Sequence, residues 1–276
     1  MRDLSGKVVV VTGGAGGLGL AIARAFGACN ARLVLCDIDP EALAAAVDTL
    51  PDARGWVVDV SDREAVNTFA DQVMAEHGRV DVVVNNAGVT AAPKPLLNTS
   101  PELVEWILKV NLWGTYNVSC AFLPHLLAQP EAALVNIGSA AGLQAVYGYG
   151  AYCMSKFAVR GLSETLQMEL RGTGVTVTSV HPGGVRTDLM DHARGFDSDS
   201  DKAAAVHRFI TAPLLSPDTA ARKILRAVRR KRYKLVLGLD ARVMGFIRWL
   251  LPASYPRVLG PILKRAVIVE APPESD

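Results

Sequence analysis

The first chemical signal in the 276-residue sequence is Thr12-Gly13-Gly14-Ala15-Gly16-Gly17-Leu18-Gly19, directly after an apolar run. A bound diphosphate needs a tight turn, close backbone approach and N–H groups aimed at it. Glycines supply the first two and the start of a helix supplies the third. Gly13, Gly17, Leu18 and Gly19 are therefore candidate dinucleotide contacts. Asp37 ends the next apolar run, where a carboxylate can accept hydrogen bonds from an adenosine ribose. Ile38 and Gly14-Ala15-Gly16 bring no base to that position. A 2′-phosphate would meet a carboxylate without a nearby cation, so the pattern predicts NAD over NADP.

A second group lies further along. Tyr152-Cys153-Met154-Ser155-Lys156 sets Tyr152 and Lys156 four apart, on one face of a helix. Ser139 precedes them at the end of a strand-like run, where doubly wound folds place their chemistry. Asn85-Asn86-Ala87-Gly88 ends another run, and Asn111 falls in the following helix.

Taken in this order, the motifs resemble the short-chain dehydrogenase/reductase family over about residues 5–190. The resemblance implies an oxidoreductase acting on CH–OH groups, with hydride passing between a nicotinamide and the substrate carbon. It implies that Tyr152 exchanges the hydroxyl proton, that Ser139 orients the substrate oxygen, and that Lys156 binds the nicotinamide ribose. Asn111 would hold a water linking Lys156 to solvent. A free tyrosine titrates near ~10, so Lys156 and an oxidised nicotinamide are expected to lower Tyr152. By the same resemblance Asp59 and Val60 contact the adenine. Asn85, Ala87 and Gly88 form a cofactor wall, and Pro182, Gly183, Val185 and Thr187 the nicotinamide-side loop. His181 reads as structural, because the tyrosine already transfers the proton, and Cys153 reads as packing.

The elements that must position these residues alternate: short apolar runs and helix-length segments, the rhythm of βαβ units. Strands are expected at Val8–Val11, Arg32–Asp37, Gly55–Asp59, Val80–Asn85, Ala133–Ile137, Val175–Val180 and Lys234–Leu237. Their continuous Val/Leu/Ile character suits a parallel sheet covered on both faces. Helices are expected near 17–28, 40–49, 62–77, 101–127, 150–171 and 217–232. Asp39-Pro40-Glu41, Ser61-Asp62-Arg63-Glu64 and Ser100-Pro101 read as helix starts. The predicted fold is α/β: one doubly wound Rossmann domain, residues 1–240, with a seven-stranded parallel sheet and a helical extension over 241–276.

Half the residues are hydrophobic and 20% are charged, which supports a core and argues against global disorder. The four cysteines are scattered without metal-site spacing, so neither disulfides nor a metal are expected. No apolar run is long enough to span a bilayer and no secretory leader opens the chain, which predicts a cytoplasmic protein. The net charge of +2 hides an asymmetry: residues 222–265 hold 13 bases and one acid, Asp240, while the rest is acidic. A basic block on an acidic body argues for something local to the C-terminus rather than nucleic acid.

The substrate segments, 89–97, 140–149 and 184–212, carry Val89, Pro93, Leu96, Leu143, Val146, Tyr147, Tyr149, Val185, Leu189, Met190, Phe209 and Ile210. This composition predicts a lipophilic alcohol or ketone. An NADP-dependent carbonyl or 3-oxoacyl reductase is the alternative. A non-catalytic dinucleotide-binding regulator would have a damaged tetrad, and Asn111, Ser139, Tyr152 and Lys156 are all present. The resemblance also implies a homodimer or homotetramer built on helices 101–127 and 150–171, through residues such as Trp106, Leu112, Phe122, Phe157, Leu162 and Leu166. Beyond 240, Phe246, Ile247, Trp249, Leu250, Leu251, Leu259, Ile262 and Leu263 stand among bases as two short amphipathic helices. Membrane contact is one reading. Pro252, Pro256 and Pro261 interrupt the segment, and packing on protein is the expectation favoured.

Overall fold

A computed structural model describes residues 1, 3–195 and 215–267. Seven strands form one parallel sheet: β1 (Val8–Thr12), β2 (Arg32–Asp37), β3 (Ala53–Val57), β4 (Val82–Asn85), β5 (Ala132–Ile137), β6 (Val175–Pro182) and β7 (Lys234–Leu237), in the order β3-β2-β1-β4-β5-β6-β7. The helices are α1 (Gly17–Gly27), α2 (Pro40–Asp48), α3 (Arg63–His77), α4 (Pro101–Leu108), α5 (Gly114–Leu127), α6 (Gly150–Glu169), α7 (Pro217–Arg229), α8 (Leu239–Leu250) and α9 (Tyr255–Val267). The part of the 184–212 segment from 196 onward, with Phe209 and Ile210, lies outside the described residues.

The unbroken valine runs have a plain cause. Val9 and Val11 of β1, with Leu33 and Leu35 of β2, pack with Ile22, Phe26 and Ile224 on one face of the sheet. Val8, Val10, Val34 and Cys36 pack with Phe69, Phe122 and Leu126 on the other. A strand covered on both faces has no polar side to show in its sequence. The Phe69 ring links Trp56 (5.7 Å) to Phe122 (5.5 Å) across the second layer.

The helix starts follow the capping residues. Asp39 accepts from the Glu41 and Ala42 N–H groups, Asp62 from Glu64 and Ala65, and Ser100 from Leu103. Strand limits shift where pairing decides them. β3 ends at Val57 because its partner β2 ends at Asp37, so Asp59 lies past the strand. β6 runs on to Pro182 because β7 pairs with it there. The expected helix 101–127 is instead α4 and α5 joined by a π turn, Lys109–Trp113. Of the residues expected to pair between subunits, Phe122 and Leu166 are buried within the chain, while Trp113, Met154 and Met168 are exposed on these helices.

β4 begins at Val82 rather than Val80, after the buried Asp81. Its carboxylate accepts from Lys7 Nζ (3.0 Å), the Val8 N–H (3.0 Å) and Arg79 Nε (2.9 Å), tying the starts of β1 and β4. Burial alone would raise its pKa. The Arg79, Val8 and Lys7 bonds outweigh burial and hold the carboxyl below its ordinary value. A depressed carboxyl contributes stability above its unfolded pKa and loses it as pH falls through the folded value. Asp81→Asn should therefore destabilise the fold by about 3 kcal/mol near neutrality. Denaturation midpoints of the two proteins should converge in acid; an equal gap at all pH values would contradict this account.

Candidate active site

β1 and β4 are neighbours whose chains leave in opposite directions across the sheet, and a crevice opens beyond their carboxyl ends. The cleft there has a volume of about 920 Å³ and is walled by the loops after β1, β2, β4, β5 and β6. Its floor is cross-linked. Thr12 Oγ1 accepts from the Asn86 and Ala87 N–H groups (both 3.0 Å), and the Asn86 amide donates to Thr12 O and Gly13 O (3.1 and 3.0 Å). Gly13 has a φ of 60°, and a Cβ on it would come within 2.9 Å of Ala87 Cα. Gly19 packs so tightly on the Gly13 carbonyl that no side chain fits.

This arrangement suits a dinucleotide. The loop is glycine where backbone must be approached, and α1 begins beside it with no acid in its first turn. Gly13, Gly17 and Leu18 line the cleft, as do Asp37, Asp59, Val60, Ala87, Gly88, Pro182, Gly183, Val185 and Thr187. At one end Asp37 is fixed: its carboxylate accepts from the Ala15 N–H (3.0 Å) and the Ile38 N–H (2.8 Å).

Two expected contacts lie elsewhere. Asn85 is turned into the core, where it donates to Ser119 Oγ (2.9 Å) and Asn136 Oδ1 (2.8 Å). The neighbouring Asn86 takes its place at the cleft. Gly19 shapes the turn from behind rather than facing the cleft.

Ser139, Tyr152 and Lys156 converge on the opposite wall. Ser139 follows β5, and its Oγ accepts from the Ala141 N–H (3.1 Å). Its carbonyl meets His181 Nδ1 (3.2 Å), whose Nε2 meets Ser179 Oγ (2.9 Å). Burial drives the His181 pKa down to about 4, so the ring is neutral near pH 7 and braces the Ser139 backbone. Lys156 Nζ donates to Ile137 O (3.1 Å) and stands 5.7 Å from the Tyr152 ring centre. Burial lowers Lys156 to about 8. Burial also pushes Tyr152 up to about 12, against a smaller lowering by the Ser139 hydroxyl. The expected lowering of Tyr152 is thus not supplied by the protein's own groups, because desolvation outweighs them. Cys153 points away and packs against Ala141 and Tyr149, with its sulfur on the Val146 N–H.

Asn111 sits in the π turn, fully buried. Its Oδ1 accepts from the Val89 N–H (2.7 Å), and its Nδ2 donates to Val89 O (2.9 Å) and Ser155 Oγ (3.0 Å). Both ends of the amide are engaged, so the side chain clamps the loop after β4. The extra residue of a π turn re-aims one side chain, and such turns recur at functional sites. Composition carries no signal of it.

Sequence reasoning also missed Asp240. Its carboxylate accepts from the Gly184 N–H (2.7 Å) and lies against Gly183, where any side chain would collide with it. The start of α8 thereby fixes the loop after β6. At the mouth, Arg194 stacks on Trp106 at 3.7 Å. Of the expected substrate residues, Val89, Val185 and Leu189 reach the cleft; Leu143, Val146 and Tyr149 pack beside it.

A family model described as short chain dehydrogenase matches residues 7–197. The chain belongs to the short-chain dehydrogenase/reductase family. It is 37% identical over 266 residues to a protein named putative oxidoreductase SadH from Mycobacterium tuberculosis, covering 94% of this chain and 96% of that one. D-threitol dehydrogenase from Mycolicibacterium smegmatis is 41% identical over 193 residues, 67% of this chain and 73% of that one. A crystal structure of a short-chain dehydrogenase/reductase from Burkholderia phymatum in complex with NAD has a TM-score of 0.82 at 30% identity, covering 91% of this chain and 95% of that one. A metagenomic short-chain oxidoreductase in complex with NADP has a TM-score of 0.70 at 32% identity, covering 86% and 99%. This short-chain dehydrogenase is an oxidoreductase of the NAD(P)-dependent kind.

Replacing Asn111 by Ala should free Val89 and leave its backbone groups unpaired, at a cost of about 1–3 kcal/mol. Hydrogen exchange at the Val89 amide should accelerate; unchanged protection there would refute the clamp.

Proposed function

We propose that the protein transfers hydride between NAD and a lipophilic secondary alcohol or ketone, or a primary alcohol or aldehyde. The observation that carries this is the convergence of Ser139, Tyr152 and Lys156 on one wall of a cleft whose other wall is the glycine loop. When bound there, the nicotinamide supplies or accepts the hydride. Ser139 donates a hydrogen bond that orients the substrate oxygen. In oxidation Tyr152 accepts the hydroxyl proton; in reduction it returns that proton to the oxygen. Lys156 holds the ribose hydroxyls, and its charge favours the phenolate. Asn111 and His181 act as positioning residues for the loops after β4 and β5.

The choice of NAD rests on Asp37. Its carboxylate is held by backbone N–H groups, and the lining residues beside it, Ile38, Asp39 and Ala42, include no cation for a 2′-phosphate. The lipophilic substrate rests on Val89, Trp106 and Leu189, which line the same cleft as Tyr152. The relative named for D-threitol makes a polyol the competing substrate class, with the polar pair Arg194 and His192 at the mouth as its support.

Tyr152→Phe keeps the ring and removes the proton, so turnover should fall by about 10²–10⁴ while NAD still binds. Because burial holds the phenol high, oxidation should quicken as pH rises toward the phenolate. Reduction, which needs the phenol, should stay flat well past neutrality. Steady-state rates across pH, followed by nicotinamide absorbance, test both. A variant within a fewfold of wild type would overturn the role.

Asp37→Ala should weaken NAD and relieve repulsion of the 2′-phosphate, moving the kcat/KM ratio toward NADP by about tenfold or more. A wild-type preference for NADP would show that Asp37 does not select the cofactor.

A further inference from the structure

The segment after β7 is anchored to the body on one side only. Ala241, Leu259 and Leu263 are buried. Asp240 holds the Gly184 N–H, and the Tyr255 hydroxyl accepts from the Ala145 N–H (3.3 Å). Arg248 lies over the rings of Phe157 and Tyr255. A helix packed in this way normally turns a polar face to water. The outer face of α8 is apolar instead. Leu239, Val243, Phe246 and Leu250 recur at helical spacing and are all exposed, Leu239 to 70%. Trp249 is exposed to 74% and stacks on Phe246 with ring centres 5.8 Å apart. On α9, Val258 and Ile262 are exposed one turn apart.

Charge identifies what such a face fits. Arg242, Arg257 and Lys264 are exposed on the same two helices, and among the described residues none is in an ion pair. Asp240, the one acid of α8 and α9, is engaged by Gly184. A two-fold contact with a second copy would bring this basic patch against an identical basic patch, with no acid of α8 or α9 free to pair it. An anionic bilayer takes both features at once: bases at the headgroups, with Trp, Phe and Leu just beneath them. Tryptophan favours that interfacial depth. Of the three prolines only Pro261 falls in the interior of a helix, α9, and the helix runs on through it to Val267. Pro252 falls between the helices and Pro256 in the first turn of α9, where its missing N–H has no partner to lose.

We propose that α8 and α9 dock the protein on an anionic lipid surface, lying in its plane. No described helix is long and apolar enough to cross a membrane. The inference does not depend on which substrate the cleft takes.

The test is cosedimentation of the full chain with vesicles of phosphatidylcholine, with and without phosphatidylglycerol, at low and high salt. Wild type should sediment with the anionic vesicles, less so as salt rises, and stay in the supernatant when the vesicles are neutral. Phe246→Ser/Trp249→Ser changes outward side chains only, and should reduce binding by about tenfold or more. Its NAD binding and melting temperature should match wild type. Arg242→Glu/Arg257→Glu/Lys264→Glu should reduce binding by about a hundredfold or more, at roughly one kcal/mol for each base lost; if the serine variant fails to fold, this variant alone decides. Absence of wild-type binding, equal binding to neutral vesicles, or undiminished binding by the variants would overturn the proposal. So would a wild-type oligomer that dissociates in the serine variant with no vesicle binding, since a second copy would then cover the face.

Discussion

The hydrogen bonds between Thr12 and Asn86 are the constraint on which the site depends. β1 and β4 lie side by side, and their chains diverge to opposite layers beyond their carboxyl ends. Left to themselves, the two loops would have exposed N–H and carbonyl groups and no fixed spacing. The Thr12 hydroxyl and the Asn86 amide satisfy those groups and lock the glycine turn to the wall opposite. Everything that lines the cleft is placed relative to that junction. A side chain at Gly13 or Gly19 would push the two loops apart, which is why their glycines serve geometry as much as any ligand.

Opposite the glycine turn, burial and chemistry pull against each other. Placing Tyr152 and Lys156 out of water raises the phenol and lowers the amine, so both are driven toward their neutral forms. The surrounding structure holds that arrangement with backbone contacts rather than opposed charges: Ile137 O for Lys156, and the His181 ring for the Ser139 loop. Such a pair responds strongly to any charge placed beside it, because little solvent is present to screen it. Rigid loops keep the groups in register. Asn111 contributes through the π turn, which rotates its amide onto Val89.

The C-terminal extension belongs to the site as well as to the surface. Asp240 fixes the loop after β6 and Tyr255 contacts the loop after β5, so the two helices brace the cleft from outside. Their inward face obeys ordinary packing rules. Their outward face carries aromatic and aliphatic residues between bases, a pattern that water alone does not stabilise.

Several features were legible in the residues alone. The strand rhythm, the helix starts at Asp39, Asp62 and Ser100, the glycine turn, Asp37, and the Ser139, Tyr152, Lys156 group all follow from local rules: alternation, capping, turn geometry and helical spacing. Other features depended on which distant segments meet. Asn85 and Asn86 are adjacent and chemically identical, and only strand register decides that one faces Asn136 while the other faces the glycine turn. The π turn at Asn111 has no compositional mark. Asp240 is an unremarkable helix-start acid until Gly184, 56 positions away, is brought beside it. For α8 the sequence determined an amphipathic helix, but not which side would face inward. That was decided by Asp240 and Ala241, whose contacts with the body turn the larger apolar residues outward, because a short helix anchored at its first turn has no freedom left to rotate.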